Sequence, residues 1–386
     1  MKIAHVITRM IIGGAQENTL LSCMGQVANG HDVTLITGPT SGPEGTLLDK
    51  QDTTGLKLIE LPSLVREISP AKEWEAYKEL RKIFESERYD IVHTHASKAG
   101  IIGRAAAWKE GVNGVIHTVH GPPFHRYEKV WKNNIYIAAE KFAVKRCHKM
   151  LCVADAMTQQ YLEAGVGKAE MYRTVHSGMN LEQYLTDDGS LRARVRTELD
   201  LPEDAVVIVK VARLFELKGH DYLIEAARML KESGVEAYFV LVGDGLLRTQ
   251  IEHELEKLGL LDNFRFTGLV PPAAVAQYVH AADILCHLSL REGLPRAVVQ
   301  GLAAAKPAVA FALDGAPEVV LPGETGYLCE PMNKQDVFKA LSELCASADL
   351  RKGLGLKGRE LVSRLFSTQR MVDQLEEVYS EVLKKS

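Results

Sequence analysis

Short apolar runs rich in β-branched residues alternate with helix-like segments from one end of this 386-residue chain to the other. Such alternation is typical of parallel α/β units, in which each helix crosses over between neighbouring strands. We predict strands at Ile3–Thr8, Asp32–Ile36, Lys57–Leu61, Ile91–His95, Gly114–Val119, Met150–Val153, Met171–Val175, Val206–Val211, Ala237–Val242, Asn263–Thr267, Ile284–Leu288, Pro307–Ala312 and Thr325–Leu328. The length favours two domains over one. The sequence therefore predicts an α/β protein with two Rossmann-like halves of similar size.

The boundary between the halves is predicted at a Gly-Met-Asn turn that ends at Asn180 and precedes a polar, charged stretch. We therefore expect a first domain over residues 1–180 and a second over 181–366. Residues 367–386 are expected to form a last helix, at about Thr368–Lys384, because apolar residues recur there at helical spacing. These residues are Met371, Val372, Leu375, Val378, Tyr379 and Val382.

The segment Arg291–Pro295 places an acidic residue in a glycine-containing loop directly before a small, apolar helix. We expect that helix to start at Pro295, because proline fits the first turn, where no intrahelical N–H partner is lost. The open N–H groups and the positive dipole end favour a phosphate or a sugar hydroxyl there. Gln300 lies about 7.5 Å further along the axis. Glu292 and Gln300 could thus contact both ends of one elongated, phosphate-centred ligand, and a nucleotide sugar has that shape.

Other loops at strand ends carry residues suited to an anionic ligand. Gly13 and Gly14 follow the first strand and let the backbone approach a ligand closely, although this signal is weak alone. Arg213 and Lys218 follow the first strand of the second half. Arginine offers a planar fork and lysine a mobile point charge, and both match a diphosphate. The residues alone therefore predict a two-domain α/β protein with an anionic-ligand cleft.

Two of these segments resemble motifs of the family-4 retaining glycosyltransferases, which have the two-domain GT-B fold. The segment from Glu292 to Ala310 is similar to the family's donor-site motif of Glu, seven residues and Glu, with Gln300 in place of the second Glu. Val211–Gly219 is similar to its Gly-Arg-Leu-x3-Lys-Gly motif, with Ala212 in place of the first glycine. The resemblance implies two Rossmann-like domains that face a central cleft, an acceptor-side first domain and a nucleotide-sugar-binding second domain. It also implies that the C-terminal helix crosses back onto the first domain.

The resemblance also implies roles for single residues. Four are expected to be catalytic: His120, Arg213, Lys218 and Glu292. Arg213 and Lys218 would neutralise the leaving diphosphate, Glu292 would orient sugar hydroxyls, and His120, in a His-Gly-Pro-Pro segment, would hold the transferred sugar. The expected donor-binding residues are Gly13, Gly14, Gly243, Gly268, Leu269, Gly293, Leu294, Pro295 and Gln300. Those expected on the acceptor side are His95, Ser97 and Lys98.

The glutamine at position 300 is a departure from the family's pattern with a predictable cost. A carboxylate can accept two hydroxyl hydrogen bonds, whereas an amide accepts through its oxygen and donates through its nitrogen. Charge-assisted bonds contribute about 1.5–3 kcal/mol and neutral ones about 0.5–1.5 kcal/mol. We therefore expect Gln300 to weaken nucleotide binding about tenfold rather than to abolish it.

The expected reaction is the transfer of a hexose from a nucleotide diphosphate sugar to a hydroxyl acceptor, with retention of the anomeric configuration. A UDP-sugar is favoured and a GDP-sugar is the second choice. The acceptor would be a sugar, a glycolipid or a lipid-linked saccharide in cell-surface polysaccharide or glycolipid assembly. Two alternatives stay open: a non-catalytic nucleotide-sugar-binding scaffold, suggested by Gln300 and Ala212, and a hydrolysing nucleotide-sugar epimerase of the same fold.

Composition bounds the partners and the compartment. No acidic residue stands at ligand spacing from the histidines His93, His95, His117 and His120, so no metal site is expected. No cofactor is expected either. A net charge of −4 without a binding motif argues against nucleic acid. Six cysteines without a C-x-x-C pair, and an N-terminus too polar for a signal peptide, predict a cytoplasmic protein.

One segment, 129–149, concentrates basic residues with interleaved aromatic side chains, among them Trp131 and Phe142. One interpretation is an amphipathic surface helix with a solvated basic face. The other is an interfacial helix that makes a peripheral contact with an anionic membrane on the inner face of the plasma membrane.

Overall fold

The computed structural model describes residues 1–40, 45–186 and 189–385. The chain divides into two units, one holding the residues up to Met179 and from Phe366 onward, the other Asn180–Leu365. Within the described residues each predicted strand is present, and each of its ends lies within one residue of the predicted position. The prediction of an α/β protein with two Rossmann-like parallel sheets is confirmed.

The first unit contains strands β1 (Lys2–Ile7), β2 (Asp32–Thr37), β3 (Lys57–Glu60), β4 (Ile91–His95), β5 (Gly114–Val119), β6 (Lys149–Cys152) and β7 (Tyr172–Thr174). Its helices up to the boundary are α1 (Gly14–Ala28), α2 (Pro70–Glu87), α3 (Ser97–Lys109), α4 (Val130–Val144) and α5 (Asp155–Glu163). The strands form one parallel sheet in the order β3-β2-β1-β4-β5-β6-β7. The strand order reverses between β1 and β4, and ligands of open α/β sheets bind at the carboxyl edge beside such a reversal.

The second unit contains strands β8 (Val207–Val211), β9 (Tyr238–Val242), β10 (Phe264–Gly268), β11 (Ile284–His287), β12 (Ala308–Phe311) and β13 (Gly326–Cys329). Its helices are α6 (Glu182–Leu185), α7 (Ser190–Glu198), α8 (His220–Glu232), α9 (Arg248–Lys257), α10 (Val275–Ala281), α11 (Arg296–Ala303), α12 (Lys334–Ala346) and α13 (Ala348–Leu365). The parallel sheet has the order β10-β9-β8-β11-β12-β13, so its reversal lies between β8 and β11.

The last helix, α14 (Thr368–Leu383), packs on α1 in the first unit. The six apolar residues predicted to form one face of this helix are all buried, which confirms the prediction from their spacing. Gly25 on α1 permits the close approach, because a Cβ there would lie 2.4 Å from Val372 Cγ2. Each fully buried aliphatic side chain contributes about 1.5–3 kcal/mol, so this face holds α14 firmly on the sheet.

Two smaller findings concern the helices. The expectation that Pro295 occupies the first turn of its helix is wrong by one residue: α11 begins at Arg296, and the ψ angle of 87° at Pro295 is outside the helical range. Within the described residues, no helix combines the length and the apolar character that a membrane span requires.

Candidate functional site

The strand order of the second sheet brings two loops together at its carboxyl edge. Because β8 and β11 are neighbours, with Ile208 beside Ile284, the loops that follow them leave the sheet side by side. The first loop carries Arg213 and Lys218, and the second carries Glu292. The reversal of strand order between β8 and β11 makes this the expected ligand position in an open α/β sheet.

Lys218 and Glu292 meet at this edge. The Lys218 Nζ lies 2.5 Å from Glu292 Oε1 and 3.5 Å from the Ser289 hydroxyl oxygen. His287, the last residue of β11, places its Nε2 3.6 Å from the same Glu292 oxygen. The two charged side chains are 22% and 25% exposed, so each can still reach a ligand from solvent.

The surroundings of Glu292 keep its carboxylate ionised. Burial by itself would raise the pKa of Glu292, but the positive charge of Lys218 and the hydrogen bonds from Lys218 and Ser289 outweigh it. The net effect holds the pKa of Glu292 below its ordinary value. Burial also lowers the pKa of His287 to about 4, so this imidazole is neutral at pH 7. Glu292 is therefore an acceptor of hydrogen bonds at neutral pH.

Gly219 allows the two loops to approach each other. Its φ of +65° lies in the left-handed region, and a Cβ there would lie 1.9 Å from the Leu288 carbonyl oxygen. On the other side, the Glu292 backbone N–H donates to Asp314 Oδ2 at 2.7 Å, and Gly315 N–H donates to the Gly293 carbonyl at 3.1 Å. The loop that carries Glu292 is thus held from both neighbouring strand ends, which fixes the position of its backbone.

A cavity of about 540 Å³ lies next to this ion pair. Three cationic side chains line it, Arg213, Lys218 and Arg291, together with one acidic residue, Glu216, and the apolar residues Phe215, Leu217, Leu246 and Leu247. An excess of positive charge around one cavity suits a diphosphate, since a guanidinium binds two phosphate oxygens in parallel and an ammonium adds a point charge.

Sequence reasoning missed Arg291 and His287 as members of this site. Arg291 directly precedes Glu292, and His287 ends the predicted strand, so both lie at the same carboxyl edge. Their position at a strand end was the available signal.

The predicted glycines at the ends of the neighbouring strands act through their backbone conformation. Gly243 has a φ of +135°, and a Cβ there would lie 2.2 Å from the Ala212 carbonyl oxygen. Its N–H donates to the Gly268 carbonyl at 3.1 Å, which joins the ends of β9 and β10. Leu269, which follows, is 75% exposed. These residues shape the carboxyl edge beside Arg213.

The structure places Leu294 and Pro295 in the buried turn before α11, and Gln300 half-buried on that helix. Gln300 makes none of the side-chain hydrogen bonds found among the described residues. Its amide is therefore available for a ligand on α11, the helix that follows the loop with Glu292 and Gly293.

The remaining predicted site residues lie in the first unit. Gly13 caps α1 with extended backbone, a φ of −176° that any residue adopts, and Gly14 is the first residue of that helix. Ser97 begins α3, and the preceding Ala96 has a φ of +59°, a conformation that costs a residue with a Cβ some strain. Lys98 forms an ion pair with Glu73 at 2.8 Å.

His95 and His120 form a pair at the carboxyl edge of the first sheet. His95 is fully buried at the end of β4, and His120 is half-buried directly after β5. The His95 Nδ1 lies 3.1 Å from the His120 Nε2, and the rings are stacked with centroids 5.3 Å apart. The structure thus joins these two predicted residues to each other.

Two family models together match most of the chain. Residues 192–361 match the model described as glycosyl transferases group 1, and residues 12–183 match that of glycosyltransferase family 4. The chain is 28% identical to the UDP-Gal:alpha-D-GlcNAc-diphosphoundecaprenol alpha-1,3-galactosyltransferase of Escherichia coli, over 99% of this chain and 97% of the relative. It is 23% identical to the capsular polysaccharide biosynthesis glycosyltransferase CapM of Staphylococcus aureus, over 79% of this chain and 80% of the relative.

Solved structures share the fold. Anabaena Alr3699/HepE in complex with UDP has a TM-score of 0.81 at 21% identity, covering 99% of this chain and 100% of the other. Sucrose-phosphate synthase from Thermosynechococcus elongatus has a TM-score of 0.83 at 22% identity, covering both chains fully.

Proposed function

This chain belongs to the group 1 glycosyltransferases of the family-4 type, which have the GT-B fold, and we propose that it transfers a hexose from a nucleotide diphosphate sugar to an acceptor hydroxyl. The observation that carries the proposal is the Lys218–Glu292 ion pair beside a cavity lined by three cationic side chains. Such a cavity suits the diphosphate, and the carboxylate next to it suits the hydroxyls of the attached sugar.

The proposed mechanism starts with an exchange of partners. The diphosphate of the donor binds the ammonium of Lys218 and the guanidinium of Arg213. Glu292 then separates from Lys218 and accepts hydrogen bonds from the sugar hydroxyls. The bond between the anomeric carbon and the diphosphate oxygen then breaks as the bond to the acceptor oxygen forms. The acceptor's hydroxyl proton leaves on the released nucleotide diphosphate. Fixed positive charge stabilises this leaving group, so the step does not require a metal ion.

We propose that Gln300 contacts the ribose of the donor. We propose that the reaction retains the anomeric configuration, by a front-face substitution without a covalent intermediate. The anomeric coupling constant of the product, read by proton NMR, tests retention directly. Inversion at the anomeric carbon would rule this mechanism out.

The donor we propose is a UDP-hexose, and a GDP-sugar is the second choice. The name of the Escherichia coli relative gives UDP-Gal as its donor and a lipid diphosphate saccharide as its acceptor, and HepE was solved with UDP and with UDP-glucose. These relatives support UDP-galactose and UDP-glucose as the first donors to examine. They also support a lipid-linked saccharide as the acceptor, in the assembly of a cell-surface polysaccharide or glycolipid.

The test is an assay of transfer with UDP-galactose, UDP-glucose and GDP-mannose, each with and without an undecaprenyl diphosphate saccharide. Release of UDP together with an extended saccharide supports the proposal. Release of UDP without an acceptor would favour the hydrolysing epimerase, and neither product with any donor would favour the scaffold.

Helix α4 supports a peripheral membrane contact on the cytoplasmic side. Trp131, Ile135 and Phe142 are 59%, 57% and 49% exposed, and the exposed Lys141 and Lys145 lie near them. Apolar side chains beside lysines suit the boundary of an anionic bilayer. All six cysteines are free thiols, as expected in a reducing compartment.

Vesicle sedimentation tests this contact. We expect binding to anionic vesicles that is lost on Trp131→Ser and kept on Trp74→Ser, a control at a tryptophan of equal exposure, 60%, on α2. Equal sedimentation with anionic and neutral vesicles would contradict the contact.

A further inference from the structure

One buried imidazole of the second unit lies beside the Lys218–Glu292 ion pair without a hydrogen-bond partner of its own. His287, the last residue of β11, is 6% exposed, and its Nε2 makes no hydrogen bond with any part of the chain that the structure describes. The same nitrogen lies 3.6 Å from Glu292 Oε1, just beyond hydrogen-bond range. Buried polar groups are nearly always paired, so this nitrogen calls for an explanation.

Lys218 already bonds to the carboxylate oxygen that His287 faces. Its Nζ lies 2.5 Å from Glu292 Oε1. A bond between two charged groups is stronger than one from a neutral imidazole, so Lys218 is the preferred partner of Glu292 in the ligand-free protein. If Lys218 leaves, a movement of about 0.5 Å brings the His287 Nε2 into hydrogen-bond range of the same oxygen.

The charge of Glu292 selects the position of the ring proton on His287. Burial lowers the pKa of His287 to about 4, so the ring is neutral at pH 7 and carries one N–H. Its Nε2 faces an ionised carboxylate oxygen, which attracts an N–H and repels a lone pair. His287 is therefore an uncharged hydrogen-bond donor aimed at Glu292.

Ser289 is the other side chain that can donate to Glu292, but its proton has competing acceptors. The hydroxyl oxygen lies 3.1 Å from the Arg291 carbonyl oxygen and 3.3 Å from the Leu217 carbonyl oxygen. A serine has one proton to donate, so these carbonyls compete with Glu292 for it. The His287 Nε2 has no such competing acceptor among the described residues.

The charges around Glu292 show what the loss of Lys218 would do. Burial by itself would raise the pKa of Glu292, and the charge of Lys218 is the largest effect that opposes it. Asp314, after β12, accepts from the Glu292 backbone N–H at 2.7 Å and adds a second negative charge. Lys210, buried on β8, interacts favourably with Glu292, whereas burial lowers the pKa of His220 to about 4 and leaves it neutral. A diphosphate that binds Lys218 therefore takes the main counter-charge from Glu292.

We propose that His287 is a positioning residue for Glu292, whose Nε2–H replaces Lys218 as hydrogen-bond donor to the carboxylate when the diphosphate of the nucleotide sugar binds Lys218. The inference rests on the proposed function, which supplies the diphosphate. His287 would keep Glu292 ionised and hold one of its oxygens. The other oxygen is then available to accept from a sugar hydroxyl.

The first experiment is a pH titration by NMR of protein labelled with ¹³C at the glutamate side-chain carboxyls, free and saturated with UDP. The signal of Glu292 is the one missing in Glu292→Gln. UDP binds Lys218 but brings no sugar, so in this complex the pKa of Glu292 should be higher in His287→Leu than in the wild type. His287→Gln keeps an N–H donor and should keep the wild-type titration. Without UDP the difference should be smaller, because Lys218 pairs with Glu292.

The pH dependence of kcat and of kcat/KM is the second measurement. The first reports the substrate complex and the second the free enzyme. His287→Leu should move the acidic limb of kcat upward by about one pH unit, the effect of one lost hydrogen bond to a charged group, and that of kcat/KM by less. A purely structural loss would lower the rate without moving the limb. His253→Leu, which removes an exposed imidazole of the same unit, is the control and should move neither limb.

The same pKa of Glu292 in the UDP complexes of the wild type and of His287→Leu would overturn the proposal. If His287→Leu does not fold, a two-bond ¹⁵N–¹H NMR correlation on the wild-type UDP complex decides: a proton on Nε2 supports the proposal, and a proton on Nδ1 alone overturns it. A wild type that binds UDP with the expected pKa difference, but transfers no sugar, would contradict the proposed function alone. A wild type that does not bind UDP would contradict both.

Discussion

Lys218 and Glu292, 74 residues apart in the chain, form an ion pair in which Nζ lies 2.5 Å from Oε1. Both residues are assigned to the donor, one to its phosphates and the other to its sugar. In the ligand-free protein each charged side chain has the other as its counter-charge. The desolvation free energy of their partial burial is therefore compensated before any ligand binds. Donor binding at these residues, as we propose it, must then replace this bond, and Lys218 is one cause of the lowered pKa of Glu292.

Glu292→Gln and Lys218→Met should each lower turnover at least tenfold. Glu292→Gln removes the carboxylate that accepts from the sugar hydroxyls, and Lys218→Met removes charge from the leaving group. Initial rates with UDP-hexose and acceptor measure both effects. Wild-type rates in either variant would contradict these assignments. The Glu225→Gln variant is a control, because Glu225 pairs with Arg228 on α8, a separate ion pair of the same unit.

Gln300→Glu should tighten the binding of UDP about tenfold. A carboxylate at this position can accept two hydrogen bonds from the ribose diol, and charge-assisted bonds are the stronger ones. Titration calorimetry with UDP gives the change in Kd. An unchanged or weaker Kd would show that residue 300 does not contact the ribose.

Arg291→Ala should raise the Kd for UDP about tenfold, an effect comparable to that of Arg213→Ala. Both side chains line the cavity beside Lys218, and each charge-assisted hydrogen bond to phosphate contributes about 1.5–3 kcal/mol. Arg194→Ala, on α7 at an exposed position, controls for the loss of one positive charge from the unit. Equal effects of Arg291→Ala and Arg194→Ala would mean that Arg291 acts only through net charge.

The free energy of unfolding should fall steeply as the pH drops from about 6.5 towards 4. Burial lowers the pKa values of His5, His93, His95 and His117 in the folded protein, so the unfolded chain takes up protons that the folded one does not. Each such histidine adds up to about 1.4 kcal/mol per pH unit to this slope. Urea unfolding at pH 7, 6 and 5 measures it.

His93→Gln should reduce that slope by about one proton, whereas His253→Gln, at an exposed position, should leave it unchanged. A slope of the same size in both variants would mean that the buried histidines are not the groups that titrate.

The sequence predicted the strands well because strands of a parallel sheet are buried on both faces and appear as continuous apolar runs. The buried face of α14 could be predicted equally well, because its apolar spacing is contained in one short segment of sequence. The pairing of Glu292 with Lys218 could not be predicted in this way, because it depends on β8 lying beside β11 in the sheet. The predicted start of α11 is one residue early, because Pro295 has a non-helical ψ of 87° and precedes the first helical residue.

The buried hydrogen bonds of His5 and His93 show the same limit more strongly. The histidines of β4 could be recognised as candidate site residues because they lie at the end of a predicted strand. Gln26 and Tyr379, whose side chains hydrogen-bond to His5 and His93, lie in helices where they have no local signal. Only the packing of α1 and α14 on the sheet brings them to His5 and His93.

The most direct test of the central claim is thermal unfolding of the protein with UDP, GDP and ADP at millimolar concentration, in the wild type and in Lys218→Met. A ligand present at 100 times its Kd should stabilise the native state by about 2.7 kcal/mol. We expect such a shift with UDP in the wild type and most of it to be lost in Lys218→Met. A wild type that shifts with none of the three nucleotides would contradict a donor site at Lys218 and Glu292, and the non-catalytic scaffold would become the better account.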